Sequence, residues 1–258
     1  MLISIIIPTL NEAPRIGGLI QTLQGMSGDV EIIVADGGSA DGTPEIARRL
    51  GVSVVNAPRG RASQMNAGAE AASGDALWFL HADSKPAPSS LEDIGQALND
   101  GAAGGFFRLR FHDLPDDPDA PKWGARFLRF IARTSHARAR DFCLIFGDQG
   151  LFLRRDVFDK AGGFAPRDGT GAKPMALMED WELSRRLRPL HKRGLIRALD
   201  SPIGTSARRY LENGICPRKS IFEVGNMPRT LSHKISHLAI QNGYRISRRG
   251  SGPLKKHK

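Results

Sequence analysis

The stretch Leu77-Trp78-Phe79-Leu80-His81-Ala82-Asp83-Ser84 runs apolar for half its length, turns to a histidine and a carboxylate, and continues into Lys85-Pro86. A short apolar run bounded by turn-forming residues is the pattern of a buried strand whose carboxyl end opens into a loop. In open α/β sheets that edge is where ligands bind. Alone, the stretch also fits a strand followed by a solvated turn, since Asp is common in turns. The segments around it decide between the two.

Upstream, residues 2–7 form a β-branched run without alternation, as expected of a strand covered on both faces. Ile16, Leu19, Ile20 and Leu23 then recur at helical spacing, with Pro14 suited to a first turn. Residues 30–35 read as a second buried strand, 44–50 as a helix, 52–55 as a third strand, and 60–72 as a small-residue helix leading to the opening stretch. Strand alternating with helix is the pattern of an α/β fold with a mostly parallel, Rossmann-like sheet flanked by helices. Right-handed crossovers bring the strand ends to one edge. Asn11-Glu12, Asp36, Arg61 and His81 to Asp83 are thereby expected to converge there.

Asp36, at a strand end and followed by Gly37-Gly38-Ser39, suits recognition of a base or of ribose hydroxyls, with glycines admitting a ligand to the backbone. The same residues also suit an ordinary Asx-turn. Asp83 fits a hard cation held by one or two carboxylates and substrate phosphates. The dinucleotide fingerprint Gly-x-Gly-x-x-Gly does not follow the first strand, and no P-loop motif occurs, which argues against dehydrogenase and P-loop chemistry.

Downstream, Leu91, Ile94 and Leu98 mark an amphipathic helix, and residues 104–111 are read as an alternating strand. Residues 113–121 form a Pro/Asp-rich loop, suited to a lid or insertion, and residues 123–132 a helix. Phe146-Gly147-Asp148-Gln149-Gly150 precedes a further apolar run and a helix from Asp156. A polar, Gly-containing segment, 167–174, is read as flexible. It leads to Glu179-Asp180-Trp181-Glu182 at a helix start, where carboxylates also suit the helix dipole. Residues 196–199 read as a strand.

The 258 residues suit one sizeable core with an extension. Lys and Arg total 37 against 27 Asp and Glu, a formal charge of +10 that favours anionic partners. Basic residues are not interleaved with aromatics as in a nucleic-acid module, so nucleic acid is not expected as a partner. The two cysteines, Cys143 and Cys216, make no disulfide framework, and fit a reducing compartment. The first residues read as a buried strand rather than a signal peptide, and no apolar run approaches the roughly 20 residues of a membrane span. The expected location is cytoplasmic. Peripheral contact with the inner face of a membrane stays open, through the basic, loosely amphipathic segment around Leu231, Ile235 and Leu238.

Taken in order, residues 4–12, Val34-Ala35-Asp36-Gly37-Gly38-Ser39, Asn66-Ala67-Gly68, His81-Ala82-Asp83, residues 147–155 and Glu179-Asp180 resemble the family 2 glycosyltransferases of GT-A fold. Gly147-Asp148-Gln149-Gly150, the helix start at Met178 and Thr205-Ser206-Ala207-Arg208-Arg209 resemble more narrowly the bacterial transferase 2 subgroup associated with radical-SAM/selenodomain proteins. The resemblance implies a GT-A nucleotide-diphospho-sugar transferase domain over 1–215, with a nucleotide-binding half (1–100) and an acceptor and catalytic half (101–215). The remainder reads as a helical extension (216–245) and a disordered basic tail (246–258).

It also implies that Thr9, Asn11, Glu12, Asp36, Arg61, His81 and Ala82 border the nucleotide. Asp83 would hold Mg²⁺ or Mn²⁺, and Asp180 would serve as general base. Asp148, Gln149, Glu179, Trp181, Arg208 and Arg209 are the candidates around pyrophosphate and acceptor. The expected donor is a UDP-sugar, with a GDP-sugar as the other option, and the acceptor is lipid-linked or small and soluble. One departure stands out: the first position of the family's DXD motif is His81, so a contact usually made by carboxylate falls to imidazole, or the metal depends on Asp83 and phosphates. The alternatives are a nucleotidyltransferase and a non-catalytic nucleotide-sugar-binding protein of the same fold.

Overall fold

The computed structural model describes residues 1–112, 122–164 and 179–207, all within one compact unit, Met1–Arg208. The elements in chain order are β1 (Ile3–Thr9), α1 (Ala13–Gln24), β2 (Val30–Asp36), α2 (Thr43–Arg49), β3 (Ser53–Asn56), α3 (Arg61–Ala71), β4 (Ala76–Phe79) and β5 (Lys85–Pro86). Then follow α4 (Ser90–Asn99), β6 (Gly104–Phe111), α5 (Lys122–Phe142), β7 (Phe152–Arg154), α6 (Arg155–Ala161), α7 (Glu179–Lys192) and β8 (Ile196–Thr205). They build a sheet in the order β3-β2-β1-β4-β7-β6-β8-β5. β1 to β4 are mutually parallel, β7 runs antiparallel to β4 and β6, β6 and β8 are parallel, and β5 is antiparallel to β8. This is the expected mixed α/β, mainly parallel architecture.

The uninterrupted apolar strands are explained by cover on both faces. Ile5 and Ile7 of β1, Trp78 of β4 and Leu80 just beyond it pack with Ile16, Leu19, Ile20 and Leu23 of α1 and Leu91, Ile94 and Leu98 of α4. Ile6, Leu77 and Phe79 face the other way, toward Met65 of α3, Ala139 of α5, Phe158 of α6 and Leu183 and Leu187 of α7. Side chains of this size contribute about 1.5–3 kcal/mol each when fully buried. α3 lies unusually close to β1, because Gly68 faces Ile6 and has no side chain to hold the helix away.

Besides the short strand β5, read as loop in the sequence, three elements differ from the sequence expectation. β6 alternates only in its second half: Phe106 and Phe107 are buried on opposite faces, and only Arg108 and Arg110 reach solvent. α5 continues ten residues past the predicted end at 132. β8 runs to Thr205 through Asp200-Ser201-Pro202, with an irregularity in its register against β6 that accommodates the turn-like residues. The predicted lid at 113–121, the flexible segment 167–174 and everything expected beyond Ala207 lie outside the described residues.

Candidate functional site

The carboxyl ends of β2, β1 and β4 lie side by side, because the three strands are adjacent and parallel. At β2, Asp36 is almost wholly buried and its carboxylate meets four donors. Oδ1 accepts from Thr9 Oγ1 at 3.0 Å and Ser39 Oγ at 2.5 Å; Oδ2 accepts from the N–H of Gly38 at 2.9 Å and of Ser39 at 2.8 Å. Burial pushes the Asp36 carboxyl upward, but the hydrogen bonds from Ser39, Gly38 and Thr9 outweigh it and hold the group below the ordinary carboxylate range. This is Asx-turn chemistry closed by Thr9 from the neighbouring strand. A base or ribose reaching Asp36 must share or displace one of those donors.

Asn11 takes the left-handed conformation, with φ of 56°, and exchanges hydrogen bonds with the same loop: its N–H donates to Ser39 Oγ at 2.8 Å and its Oδ1 accepts from the N–H of Ala40 at 2.9 Å. Glu12 pairs with Arg15 at 2.8 Å, while its backbone N–H donates to Thr43 Oγ1. Asp41 accepts from the N–H of Ala13 at 3.0 Å, so amides at the start of α1 are satisfied from the loop after β2. Buried Gln64 donates to the carbonyls of Thr9 and Ala35, clasping the two strand ends. Sequence reading missed this role, and a buried Gln in a small-residue helix was the available signal.

At β4 the chain turns at His81-Ala82-Asp83-Ser84, closed by the Ser84 N–H on the His81 carbonyl at 3.0 Å. Ala82 is buried, and His112, just past β6, donates its Nε2–H to the carbonyl of Asp83 at 3.2 Å. Gly147 lies against this turn. A methyl group on Gly147 would fall 2.6 Å from His81 Nε2 and 3.3 Å from Asp180 Oδ2, so a larger residue here would have to displace the His81 ring. The Gly147 N–H donates to Asp180 Oδ2 at 2.9 Å.

One turn further along α7, Ser184 donates to the carbonyl of Ile145 at 3.0 Å and accepts its N–H at 3.1 Å. Asp180 and Ser184, at i and i+4, thus share the helix face that meets residues 145–147. Ser184 lies inside the motif that starts at Met178, but the resemblance gave it no role; in the structure it positions α7. Cys143, buried beside it, donates its thiol to the Ser184 carbonyl at 3.5 Å, and burial pushes that thiol up to about 11, against the opposing influence of Arg188.

Between these groups sits Asp148. Its Oδ1 is sealed from solvent and has no hydrogen-bond partner among the described residues. Burial raises its carboxyl above the ordinary range; Arg138 and Arg61 pull it back, and the charge of Asp83 pushes it further up. That electrostatic coupling ties together the turn after β4, the start of α3, α5 and the loop before β7. Arg138, on the part of α5 that the sequence did not predict, stacks over Phe146 at 4.0 Å. The Gln149 Oε1 accepts from the Phe146 N–H at 3.2 Å, leaving its Nε2, like the Trp181 indole N–H, buried and unpartnered among the described residues.

The expected residues therefore form two groups along one edge: Thr9, Asn11, Glu12 and Asp36 at β1 and β2, and His81, Ala82, Asp83, Asp148, Gln149, Asp180 and Trp181 around β4, with Arg61 coupled to the second. Arg208 and Arg209 lie outside the described residues. Glu179 begins α7. The basic pair Arg154-Arg155, within the Gly147 motif, is structural: Arg154 donates to the carbonyls of Ala102 and Leu98, and Arg155 to those of Gly74 and Ala69. Asn66 is structural as well, accepting the Phe164 N–H at 2.9 Å.

Among the described residues no three His, Cys, Asp or Glu side chains cluster to enclose a metal. The orphaned Asp148 oxygen and the neighbouring charge of Asp83 nonetheless suit a hard cation that draws its remaining ligands from phosphate. No helix among the described residues is long and apolar enough to cross a membrane.

Residues 4–162 match the family described as glycosyl transferase family 2. A relative, the glycosyltransferase AglE of Haloferax volcanii, is 34% identical over 175 residues, 63% of this chain and 55% of that protein. The chain thus spans about half the length of that relative. Among solved structures, glucosyl-3-phosphoglycerate synthase from Mycobacterium tuberculosis, in complex with Mn²⁺, UDP and glucosyl-3-phosphoglycerate, superposes with a TM-score of 0.57 at 21% identity, over 95% of this chain and 81% of that one. The mannosyltransferase PcManGT from Pyrobaculum calidifontis, in complex with GDP-Man and Mn²⁺, gives 0.52 at 22% identity, over 80% and 56%. The likeness is one of fold, and the fold is GT-A. With more than half of its length matched, the chain belongs to glycosyl transferase family 2.

Proposed function

We propose that the chain is an inverting glycosyltransferase, moving a sugar from a nucleotide-diphosphate donor to an acceptor hydroxyl. The observation that carries the reading is the meeting of Asp180, His81 and the Gly147 backbone beside Asp83, at the strand edge of an α/β sheet. Asp180 is proposed to accept the proton of the acceptor hydroxyl as the hydroxyl attacks the anomeric carbon from the face opposite the leaving nucleotide. Its hydrogen bond to Gly147 orients the carboxylate at the strand edge. No covalent sugar-enzyme intermediate is needed, and alignment of donor and acceptor supplies much of the acceleration.

The nucleotide is proposed to lie along Thr9, Asn11, Glu12, Asp36 and Arg61, with His81 toward the ribose or metal. Asp83 would hold Mg²⁺ or Mn²⁺; when bound, such an ion offsets the charge on the leaving diphosphate. Relatives of the same fold bound to UDP or GDP-Man with Mn²⁺ support a UDP- or GDP-sugar as donor. Membership of the radical-SAM/selenodomain-associated subgroup belongs to the same proposal and rests on the residues 147–150, 178–187 and 205–209. So do the roles of Glu179, Arg208 and Arg209, and a cytoplasmic site of action.

A thermal-shift panel tests the reading: UDP-, GDP- and TDP-sugars and their diphosphates, each with Mn²⁺, Mg²⁺ or EDTA. A ligand at a hundredfold its Kd stabilises by about 2.7 kcal/mol. Stabilisation by one base series, lost in EDTA and in Asp83→Ala, is expected. Silence with every nucleotide would remove the reading.

A further inference from the structure

A cleft of about 730 Å³ lies between α5 and the outer strands β6 and β8, farther along the sheet than Thr9 and Asp36. Its lining is strongly basic. Arg108 and Arg110 project from β6, spaced two apart and so on one face of the strand; Arg129, Arg133 and Arg140 project from α5 at intervals of four and seven. Among the described residues no Asp or Glu lines it.

Most of these guanidiniums are unspent. Arg140 pairs with Asp141 at 2.8 Å, but Arg108, Arg110, Arg129 and Arg133 make no hydrogen bond or ion pair with the described residues. His136 lines the same cleft with its Nδ1 buried and unpartnered among the described residues. Burial first, and then Arg140 and Arg108, hold that imidazole below its ordinary range, while Asp200 and Asp141 oppose them. Like charges gathered around a half-buried ring carry a cost in repulsion that a bound anion relieves. The volume is that of a small-molecule site, and Arg is the residue suited to forked recognition of phosphate oxygens.

We infer that this cleft is a binding site for a phosphate-bearing ligand, separate from the residues proposed to hold the nucleotide. The cleft adjoins the turn at Asp83 through His112, which lines it and holds the Asp83 carbonyl. A ligand anchored here by its phosphate therefore extends toward the group of His81, Asp83 and Asp180. A soluble phosphorylated molecule and a phospholipid headgroup offer the same chemistry, and binding separates them.

The test uses the full chain with two probes, inorganic tripolyphosphate in EDTA by calorimetry and phosphatidylcholine vesicles doped with phosphatidic acid by co-sedimentation. Arg129→Gln/Arg133→Gln is compared with Arg126→Gln/Arg193→Gln, which removes the same charge from exposed positions off the cleft. The cleft variant is expected to bind about tenfold or more weakly, with the control near wild type. Arg108→Gln is read in its place if the cleft variant does not melt like wild type.

Loss of tripolyphosphate binding identifies a soluble ligand, and loss of vesicle binding alone identifies a headgroup. Equal binding by both variants, or no binding of either probe to wild type, overturns the site. Displacement of tripolyphosphate by UDP, both in EDTA, would make the cleft part of the donor site and overturn its separateness. A nucleotide that fails to bind at all counts against the proposed function, while the cleft is still scored by its own variants.

Discussion

The N–H of Gly147 donates a 2.9 Å hydrogen bond to the carboxylate of Asp180, joining the loop before β7 to the first turn of α7. The bond fixes the Asp180 carboxylate against the Gly147 backbone. Asp180→Asn keeps an oxygen for Gly147 but cannot take a proton, so transfer should fall by about 10²–10⁴ with nucleotide affinity unchanged. Single-turnover transfer and calorimetric titration of the same preparation check this. Turnover within a few-fold of wild type would remove Asp180 as the base.

Gly147→Ala should disturb the same site from the backbone side. The added methyl would lie 2.6 Å from His81 Nε2 and 3.3 Å from Asp180 Oδ2. His81 must move, at a cost of about 1–3 kcal/mol in stability, and transfer should fall at least about tenfold through misplacement. Thermal melts and initial rates separate the two effects; unaltered rates would show that His81 and Gly147 need not approach so closely during turnover.

Asp36 should make stability depend on pH in the acid range. Its folded pKa is depressed, so its stabilising contribution is present above the unfolded value of about 3.9 and is lost as pH falls through the lower folded value. Urea unfolding across that range should show wild type losing stability and Asp36→Asn showing a shallower loss. At neutral pH the variant should be less stable by about 1–3 kcal/mol, because the amide cannot serve all the donors of Ser39, Gly38 and Thr9. Parallel pH curves would contradict this.

Gly68→Ala tests the packing that seats α3 on the sheet. Its methyl would fall 2.5 Å from Ile6 Cγ2, a clash that should cost about 1–3 kcal/mol. Ile6→Ala removes that methyl, so the double variant should lose less than the two single losses combined. Strict additivity would mean that α3 shifts away instead.

Local pattern alone determined the parallel half of the fold, because β1, β2 and β4 are buried on both faces and their apolar runs need no partner to be recognised. It also marked the polar strand ends, and the order of the motifs pointed to the family. It did not reach the second half of α5, where Arg133, His136, Arg138 and Arg140 surround small buried residues such as Ser135 and Ala139 and leave little apolar periodicity. Nor did it find β5 or the full length of β8, whose pairing depends on partners remote in the chain.

Tertiary structure decided which polar residues meet. Antiparallel β7 beside β4 brings Gly147 and Asp148 to the turn at His81, and Ser184 holds α7 so that Asp180 reaches them. The basic cleft likewise exists only because α5 lies against β6, matching a helical spacing of arginines to a strand spacing of arginines. Periodicity reports which side of an element is buried; which element covers it follows from strand order, and strand order is a property of long-range pairing.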